Sequence, residues 1–234
     1  MSLFNPTVTL DRCSFFEGYT DCHCHILPGV DDGFKTMEDS LEILSLYAEA
    51  GIRKVWLTPH IMEDMPNTPE SLSERFEELR SAYTGPVELC LAAENMMDVL
   101  FKKRFDENNL LTLGQDMLLV ETSYFSPPMD LHKILSKIKS IGLNPLLAHP
   151  ERYMYMDMDE YTGLKDEGIR FQLNLLSLSG AYGNRVKEKA EKMLKKDYYD
   201  FSGTDLHRKS MFEGIRTHAV PKKLAALIPN NQKI

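Results

Sequence analysis

Short apolar runs alternate along this chain with longer segments in which apolar residues recur every three or four positions. The short runs predict buried strands, and the longer segments predict helices with one apolar face. Because strands and helices alternate through short loops, the pattern indicates a parallel sheet in an α/β protein. Seven strands are predicted, over residues 19–25, 54–58, 87–93, 117–120, 144–148, 170–175 and 199–202.

The helices are delimited by local signals. Thr36 forms a capping-box pattern with Asp39, and Gly51 follows the end of the same helix. Thr68 and Pro69 are a cap and a first-turn proline, so they open the next helix. The predicted helices cover residues 37–50, a segment from 69 to the Gly-Pro pair at 85–86, then 97–105, 131–141, 161–167, 184–195, and most of the tail from 211.

The domain organisation is simple. Residues 1–18 are predicted to form an N-terminal tail, and residues 19–234 a single domain, since no linker, repeat or low-complexity segment interrupts them. Four apolar side chains of the tail can dock on that domain: Phe4, Leu10, Phe15 and Phe16.

The composition narrows the class of protein. The chain has 234 residues, 43% of them hydrophobic, so it can bury a substantial core. Its net charge of -8 disfavours a nucleic-acid backbone as partner. No apolar run is long enough to span a bilayer, and residues 1–20 lack the pattern of a secretory signal, so we expect no membrane insertion. The 4 cysteines have no framework-like spacing, which predicts a reducing, cytoplasmic compartment.

Candidate chemistry first appears in the sequence Asp21-Cys22-His23-Cys24-His25. On a strand, successive side chains point to opposite faces. His23 and His25 can then converge on one metal ion, or they are two unrelated histidines on a polar strand face, while the two thiols share the other face. A zinc site that uses both cysteines and both histidines is the alternative, and this geometry disfavours it.

Further histidines and acidic residues follow the predicted strands one after another. In chain order they are His60, Glu94, Glu121, His149, Asp205 and His207. Active-site residues of a parallel barrel come from this face of the barrel. Five of the 7 histidines follow strands, whereas His132 and His218 fall in predicted helices and are expected at the surface.

The types of these residues indicate the chemistry. Imidazole and carboxylate groups without convergent cysteines suit zinc, manganese or iron. The candidate ligands are too many for one ion, and several ions that share bridging carboxylates are typical of phosphoryl chemistry. The sequence therefore predicts a multinuclear metal site at one end of the sheet.

At successive strand ends the chain carries Asp-x-His-x-His, Pro-His, Ala-Glu, Val-Glu, His-Pro-Glu-Arg and Gly-Thr-Asp-Leu-His. This ordered set resembles the PHP (polymerase and histidinol phosphatase) superfamily. Residues 25–33 and 148–153 further resemble the bacterial tyrosine phosphatases associated with capsule and exopolysaccharide synthesis. The resemblance implies a distorted (β/α)7 TIM-like barrel in which a trinuclear metal centre activates a hydroxide that hydrolyses phosphotyrosine.

The resemblance also implies how the ligands divide among three divalent ions. The sets are His23, His25, Glu121 and Asp205; then Glu94, Glu121 and His149; then Asp32, His60 and His207. Glu121 would bridge two ions, and Asp31 would be a structural neighbour of the ligand Asp32. Manganese is the expected metal, with iron, zinc or magnesium as alternatives.

Arginines complete the implied site. Arg152 matches the phosphate-binding arginine of the family, and a guanidinium can bind two phosphate oxygens at once. Its competing role is a salt bridge with Glu151 or Asp157. The second family arginine lies in a Pro-containing stretch that this chain lacks; Arg208 is the nearest candidate, and Arg216 is the fallback.

The resemblance implies a phosphotyrosine-bearing protein as substrate, with the tail of a bacterial tyrosine kinase as the expected partner. Three alternatives stay open. The first is a small-molecule phosphatase that acts on a compound such as histidinol phosphate, and the second is an amidohydrolase, which would need a carbamylated lysine where Glu121 stands. The third is a non-catalytic metal-binding partner in polysaccharide assembly. A cysteine-based phosphatase is excluded, because no cysteine precedes a Gly-rich turn with an arginine five residues on.

Overall fold

The computed structural model describes residues 6–107 and 109–231. The strands are β1 (Thr7–Thr9), β2 (Thr20–Cys24), β3 (Lys54–Leu57), β4 (His60–Ile61), β5 (Glu88–Leu91), β6 (Glu94–Met96), β7 (Met117–Glu121), β8 (Asn144–Ala148), β9 (Arg170–Asn174), β10 (Phe201–Gly203) and β11 (Ala219–Pro221). The helices are α1 (Met37–Ala50), α2 (Pro69–Ala82), α3 (Phe101–Asp106), α4 (Leu131–Ser140), α5 (Met158–Asp166), α6 (Asn184–Lys195), α7 (Lys209–Thr217) and α8 (Lys222–Ala225). Two 3-10 turns, Pro150–Arg152 and Leu175–Ser179, follow β8 and β9.

Parallel strands form two sheets. The larger has the order β10-β9-β8-β7-β6-β4, and the smaller has the order β2-β3-β5. Every neighbouring pair within these two sheets runs parallel. The predicted parallel α/β architecture is therefore confirmed, with its strands divided between two sheets.

The division arises after two predicted strands, 54–58 and 87–93, where a short further strand follows each one. Pro59, which has no N–H to donate to a ladder, lies between β3 and β4. Residues 92–93 lie between β5 and β6. Hydrogen bonds still cross the break, since Ala92 N donates to Leu57 O at 2.9 Å and Glu94 N donates to Pro59 O at 3.1 Å. The hydrogen bonds therefore continue past the two interruptions, and β4 and β6 begin at the candidate ligands His60 and Glu94.

The first strand also meets the segment that follows the last parallel strand. Asp205 N donates to His23 O at 2.8 Å, and His25 N donates to Leu206 O at 3.0 Å. The carboxyl ends of β2 and β10 are thereby held side by side. Residues far apart in the chain come together at this end of the domain.

Helix ends follow the predicted signals. The Thr36 side chain accepts from Asp39 N at 3.1 Å, and Gly51 ends α1 in the left-handed region with φ 90°. Thr68 caps α2, and Pro69 occupies its first turn. The bounds of α1 and α6 equal the predicted ranges 37–50 and 184–195, which confirms both helices.

The segment before β2 packs on the domain. β1 pairs antiparallel with β11, and Leu10 and Phe16 are each only 2% exposed. Phe15 is half-buried against the same core, whereas Phe4 lies outside the described residues. β1 and β11 have three residues each, which is too short for a periodic pattern to predict.

Other boundaries differ from the predictions, most of all at α3, at α5 and in the tail. α3 begins at Phe101 rather than at residue 97, because Met97 N donates instead to Glu121 O at 2.9 Å. α5 begins earlier than predicted, at Met158, because the Asp157 side chain caps it. The tail is not mostly helical, since β11 lies between α7 and α8.

The alternation predicted for β2 does not hold at its cysteines. The register of β2 against β3 shifts between Asp21 and Cys24. Cys22 consequently packs with Trp56 in one apolar cluster, and Cys24 packs in the other. The two thiols do not share one apolar environment, although each is fully buried.

Asp21 connects three elements at the buried start of β2. Its carboxylate accepts hydrogen bonds from the Tyr47 hydroxyl at 2.7 Å, the Thr204 hydroxyl at 2.6 Å and Thr204 N at 2.9 Å. Tyr47 lies on α1, and Thr204 follows β10. Burial raises the pKa of Asp21, because lost hydration disfavours its charge, although these hydrogen bonds act in the opposite direction.

Replacing Asp21 by alanine is expected to lower the free energy of unfolding by about 3 kcal/mol or more, because each buried donor left without an acceptor costs about 1–3 kcal/mol. Urea unfolding of metal-free protein measures this loss. Glu38→Ala removes an exposed carboxylate from the first turn of α1 and serves as control, with an expected loss below about 1 kcal/mol. An equally small loss for Asp21→Ala would contradict the prediction.

Candidate metal centre

The nine predicted ligand residues lie together at the carboxyl ends of the parallel strands. Their ligand-type atoms form three groups, and within each group the atoms lie within 4.8 Å of one another. The groups are His25, Asp32, His60 and His207; His23, Glu94, His149 and Asp205; and His60, Glu94 and Glu121. Among the described residues, no cysteine belongs to such a group, which leaves the alternative site of two cysteines and two histidines without support.

Glu94 lies at the centre of this arrangement. Its Oε2 atom is 3.2 Å from His23 Nε2, 3.4 Å from His25 Nε2 and 3.1 Å from His60 Nδ1. Its Oε1 atom is 2.9 Å from His149 Nε2. One carboxylate therefore faces four imidazoles, and Glu94 belongs to two of the three groups.

Glu121 lies near two of the imidazoles that Glu94 also faces. Its Oε1 atom is 3.1 Å from His60 Nδ1, and its Oε2 atom is 3.8 Å from His149 Nε2. It belongs to one group, together with Glu94 and His60. This geometry differs from the implied division of ligands, in which Glu121 was the bridging residue and Glu94 was not.

Hydrogen bonds orient the two histidines of β2. His23 Nδ1 lies 2.9 Å from Gln172 Oε1, and His25 Nδ1 lies 2.7 Å from Asp31 Oδ2. Both Nε2 atoms then point to one place and are 3.2 Å apart. Partners of this kind commonly orient metal-binding histidines, since they fix the ring and its tautomer.

The neighbours Asp31 and Asp32 have separate environments. Asp31 is engaged by His25 and also accepts from Gly33 N at 2.9 Å and His60 N at 3.1 Å. Asp32 is half-exposed, and its Oδ1 lies 3.3 Å from His207 Nε2 and 3.5 Å from His60 Nε2. Asp32 is therefore the free carboxylate of the pair, and Asp31 positions its surroundings.

Buried atoms without partners test whether these side chains fit a metal. Within the described chain, His60 Nδ1, Glu94 Oε2 and Glu121 Oε1 are buried, and although the nitrogen lies 3.1 Å from each oxygen, none of the three has a hydrogen bond of good geometry. A buried polar atom left unsatisfied is costly. These three atoms belong to the three residues of one group, so a cation bound there would satisfy all of them. The residues fit a metal.

The ionisable groups perturb one another strongly. Burial and His25 act to lower the pKa of His60, but Glu94 and Glu121 raise it to about 10. Burial opposes ionisation of Glu94, yet His23 and His60 hold its pKa well below the usual range. A site that binds protons this tightly attracts positive charge strongly, so it would attract divalent cations as well.

Backbone strain occurs at two of the candidate ligands. His149 has φ 34° and Asp205 has φ 49°, a region that residues other than glycine rarely adopt. Such strain is concentrated at functional sites. Packing beside β2 is also close, because a Cβ on Gly203 would lie 2.6 Å from the Cβ of His23, so a glycine is required there.

An open cavity of about 820 Å³ adjoins the metal groups. Asp32, His60, Glu94, Asp205 and His207 contribute to its wall. Residues outside the metal groups complete the wall, among them Tyr124, Arg152, Leu176, Tyr182, Arg208 and Met211. The cavity therefore combines acidic and imidazole groups with two arginines and several apolar side chains.

The arginines occupy different positions. Arg152 Nη1 donates to Asp205 Oδ2 at 2.9 Å. It does not pair with Glu151 or Asp157 among the residues described, since Glu151 accepts from neighbouring backbone and hydroxyl groups and Asp157 caps α5. Arg208 is exposed and lines the cavity. Arg216 lies on α7 and forms an ion pair with Asp11 at 2.8 Å.

The chain matches a known protein family over most of its length. Residues 19–217 match the model of a family described as capsular polysaccharide synthesis, CpsB/CapC. The chain belongs to the CpsB/CapC family. The match includes all nine candidate ligands, Arg152 and Arg208.

Individual relatives support the CpsB/CapC assignment. The chain is 28% identical over 210 residues to tyrosine-protein phosphatase CpsB of Streptococcus agalactiae, covering 80% of this chain and 82% of that protein. It is 25% identical over 194 residues to tyrosine-protein phosphatase YwqE of Bacillus subtilis, covering 80% and 76%. A solved structure superposes on this chain with a TM-score of 0.75 at 24% identity, covering 88% of this chain and 84% of that one. It comes from a study of YwqE from B. subtilis and CpsB from Streptococcus pneumoniae, described there as metal-dependent tyrosine phosphatases. That similarity shows the fold.

Sequence reasoning missed several site residues of this CpsB/CapC-family chain. Gln172 orients His23, and Asn174 Nδ2 donates to Asp205 Oδ2 at 2.7 Å. Their alternation with Phe171 and Leu173 along β9 is a signal that could have found them. Tyr124 and Tyr182 line the cavity from loops and carry no comparable signal.

Two remaining predictions concern residues outside the site. His132 is exposed and lies 3.0 Å from Glu167, and neither it nor His218 belongs to a candidate metal group. Over the described ranges, no helix is both long and apolar enough to cross a membrane.

Proposed function

We propose that this chain is a metal-dependent protein-tyrosine phosphatase. The observation that carries the proposal is a cavity that adjoins the nine candidate ligands, five of which line its wall together with an arginine suited to phosphate. The names of the CpsB and YwqE relatives support it. The alternatives of an amidohydrolase and of a non-catalytic partner have no comparable support, since Glu121 stands at the lysine position and every candidate ligand is present.

The three groups of ligands are proposed to hold three divalent ions, with manganese as the expected metal and iron, zinc or magnesium as alternatives. Glu94 would contact two ions, because it belongs to two groups. When bound, such ions supply a nucleophilic hydroxide at neutral pH and Lewis-acid stabilisation of the phosphoryl oxygens. Three divalent charges exceed those of the carboxylates Asp32, Glu94, Glu121 and Asp205, which leaves the site attractive to a phosphate dianion.

The arginines are proposed to bind the phosphoryl group. Arg152 is largely buried, and only one of its terminal nitrogens is engaged with Asp205. Its remaining N–H groups can donate to two phosphoryl oxygens, and they would stabilise the charge that develops in the transition state. Arg208 lines the same cavity from the start of α7 and is the candidate for a second contact.

The apolar part of the cavity favours an aromatic leaving group. Leu176 and Met211 lie on the same wall as the arginines. They can contact the ring of a phosphotyrosine while its phosphate faces the metal groups. Phenolate is a good leaving group because phenol has a pKa of about 10, so little help from a general acid is required.

The biological setting is also part of the proposal. We propose that the substrate is a phosphotyrosine-bearing protein, with the tail of a bacterial tyrosine kinase as the expected partner, and that the reaction regulates capsule or exopolysaccharide synthesis. The family description supports that process. A cytoplasmic location is consistent with four unpaired cysteines.

We further infer that the two sheets together form the predicted distorted (β/α)7 barrel. In this interpretation β3 with β4, and β5 with β6, are single interrupted strands, which leaves seven units. The hydrogen bonds across the break at Pro59 and between the ends of β2 and β10 support closure.

Two peptides of identical sequence, one with phosphotyrosine and one with phosphoserine, test the proposed activity. We expect kcat/KM to be higher for phosphotyrosine, because the serine alkoxide leaves much less readily than phenolate. Histidinol phosphate is the third substrate in the same assay. A preference for phosphoserine or for histidinol phosphate would refute the proposed substrate class, and absence of metal-dependent turnover on all three would refute the proposed activity.

A further inference from the structure

Arg152 lies between two aromatic rings at the cavity wall. The centre of its guanidinium is 4.2 Å from the ring centroid of Tyr124 and 4.2 Å from that of Tyr182. Behind Tyr124 the stack continues through Tyr153, at 6.4 Å and 28°, to Tyr155, at 5.8 Å and 11°. The guanidinium therefore lies at one end of a row of stacked tyrosine rings and also faces Tyr182.

This stacking restricts how Arg152 can reach a ligand. The guanidinium carbon lies over the faces of both rings, so the two rings limit the directions from which a ligand can approach it. Its Nη1 already donates to Asp205 Oδ2, and the side chain as a whole is 17% exposed. The two rings and Asp205 therefore all restrict how the guanidinium can turn.

Both rings are held by contacts of their own. Tyr124 O accepts from Met154 N at 2.8 Å, which ties the loop after β7 to the segment after Arg152. Asn174 Nδ2 lies 3.3 Å from the Tyr182 hydroxyl and also donates to Asp205. The partners of Arg152 are therefore fixed by neighbouring backbone and side chains.

The local sequence explains how Tyr182 reaches this position. Gly180 and Gly183 have φ 84° and 94°, the left-handed region that favours glycine. Gly183 N donates to Gly180 O at 2.9 Å, so the chain turns sharply between the two glycines. Tyr182 lies within this turn, which carries its ring over the cavity between the second 3-10 turn and α6.

We propose that Tyr124 and Tyr182 are positioning residues that clamp the plane of the Arg152 guanidinium for phosphate binding. The inference rests on the proposed role of Arg152 in the phosphatase reaction. Stacking on aromatic faces is specific to the planar, delocalised guanidinium, and cation–π attraction strengthens when the pair is desolvated. The aromatic ring makes the proposed contact with the guanidinium, and the hydroxyl of Tyr182 contributes only through its contact with Asn174.

Matched substitutions separate the ring from the hydroxyl. Tyr182→Phe keeps the ring and is expected to change kcat/KM for a phosphotyrosine peptide less than about threefold, whereas Tyr182→Leu removes the ring and is expected to lower it about tenfold or more. Tyr198→Leu is the control, since Tyr198 lies 5.4 Å from Lys196 in a similar cation–π pair away from the cavity. Equal activities of the Leu and Phe variants at Tyr182 would overturn the clamp.

A double substitution tests whether Tyr182 acts through the arginine. In an Arg152→Lys background the clamp has no guanidinium to hold, so Tyr182→Leu should then change kcat/KM less than about twofold. A full additional loss in that background would mean that Tyr182 contacts the substrate by itself, which contradicts a positioning role.

Side-chain NMR makes the test independent of turnover. Protons of a guanidinium between two rings are shifted upfield, so the Arg152 signals, identified by their loss in Arg152→Lys, should be upfield in wild type and Tyr182→Phe and should return downfield in Tyr182→Leu. An active wild type without this shift overturns the clamp. A wild type that shows the shift but hydrolyses no phosphotyrosine overturns the proposed function instead.

Discussion

Substitution of Glu94 by glutamine is expected to lower phosphotyrosine hydrolysis more than about 100-fold. Loss of a residue that only supports a metal ligand lowers activity by up to about 100-fold, and this change removes the charge of a candidate ligand itself. Glu94 Oε2 lies within 3.4 Å of imidazole nitrogens of His23, His25 and His60. Two groups share this carboxylate, so its neutralisation weakens two candidate ion sites at once.

Asp32→Asn is the matched comparison, because Asp32 belongs to one group and its side chain is 54% exposed. Protein purified without chelator would be assayed for metal by elemental analysis and for steady-state turnover. Wild type should approach three ions per chain, and Glu94→Gln should retain fewer ions than Asp32→Asn. Equal metal contents in the two variants would contradict a bridging Glu94.

Glu121→Gln extends this comparison to the residue that the family resemblance implied as the bridge. Because Glu121 belongs to one group, we expect its metal content to resemble that of Asp32→Asn. A larger metal loss in Glu121→Gln than in Glu94→Gln would favour the implied division of ligands over the observed geometry.

Substitution of Arg152 by lysine is the second change with a large expected effect. Turnover of a phosphotyrosine peptide should fall about 10²–10³-fold, the range measured when one donor to a developing oxyanion is removed. Lysine provides a point charge in place of a planar fork, so it neither binds two oxygens nor stacks between Tyr124 and Tyr182. Metal content should stay unchanged, since Arg152 is not in a candidate metal group.

Arg216→Lys is a suitable control, because Arg216 also pairs with a carboxylate, at 2.8 Å from Asp11, yet does not line the cavity. Its kcat and KM are expected to equal those of wild type. Steady-state kinetics, together with elemental analysis of the same preparations, separate a binding defect from metal loss. An Arg152→Lys enzyme as fast as wild type would exclude a role of this guanidinium in the reaction.

Much of the fold and site could be predicted from local sequence. The ranges 37–50 and 184–195 were recognised as helices because periodicity, and at α1 also capping, depends on residues near one another in the chain. The candidate ligand residues could be predicted from sequence for a related reason. In a parallel sheet every strand ends on the same face, so a histidine or glutamate directly after an apolar run lies at the site wherever the strand sits.

Other features depended on contacts between distant segments. The breaks that separate β3 from β4 and β5 from β6 became visible only in the ladders, since a short apolar run does not reveal where its pairing changes. The register shift in β2 likewise divided Cys22 from Cys24 against the expected alternation. Pairing partners, rather than the run itself, determine these details.

The sequence alone indicated the residues of the candidate metal centre and the cavity arginine Arg152, because those residues are marked by their place after predicted strands and by an ordered set of motifs. The tertiary structure was needed to show that Glu94 belongs to two ligand groups, that Asp31 is engaged by His25, and that Arg152 lies over the rings of Tyr124 and Tyr182. The physical reason is distance: ligand grouping and ring stacking depend on side-chain atoms a few ångströms apart, contributed by loops that are remote in the chain.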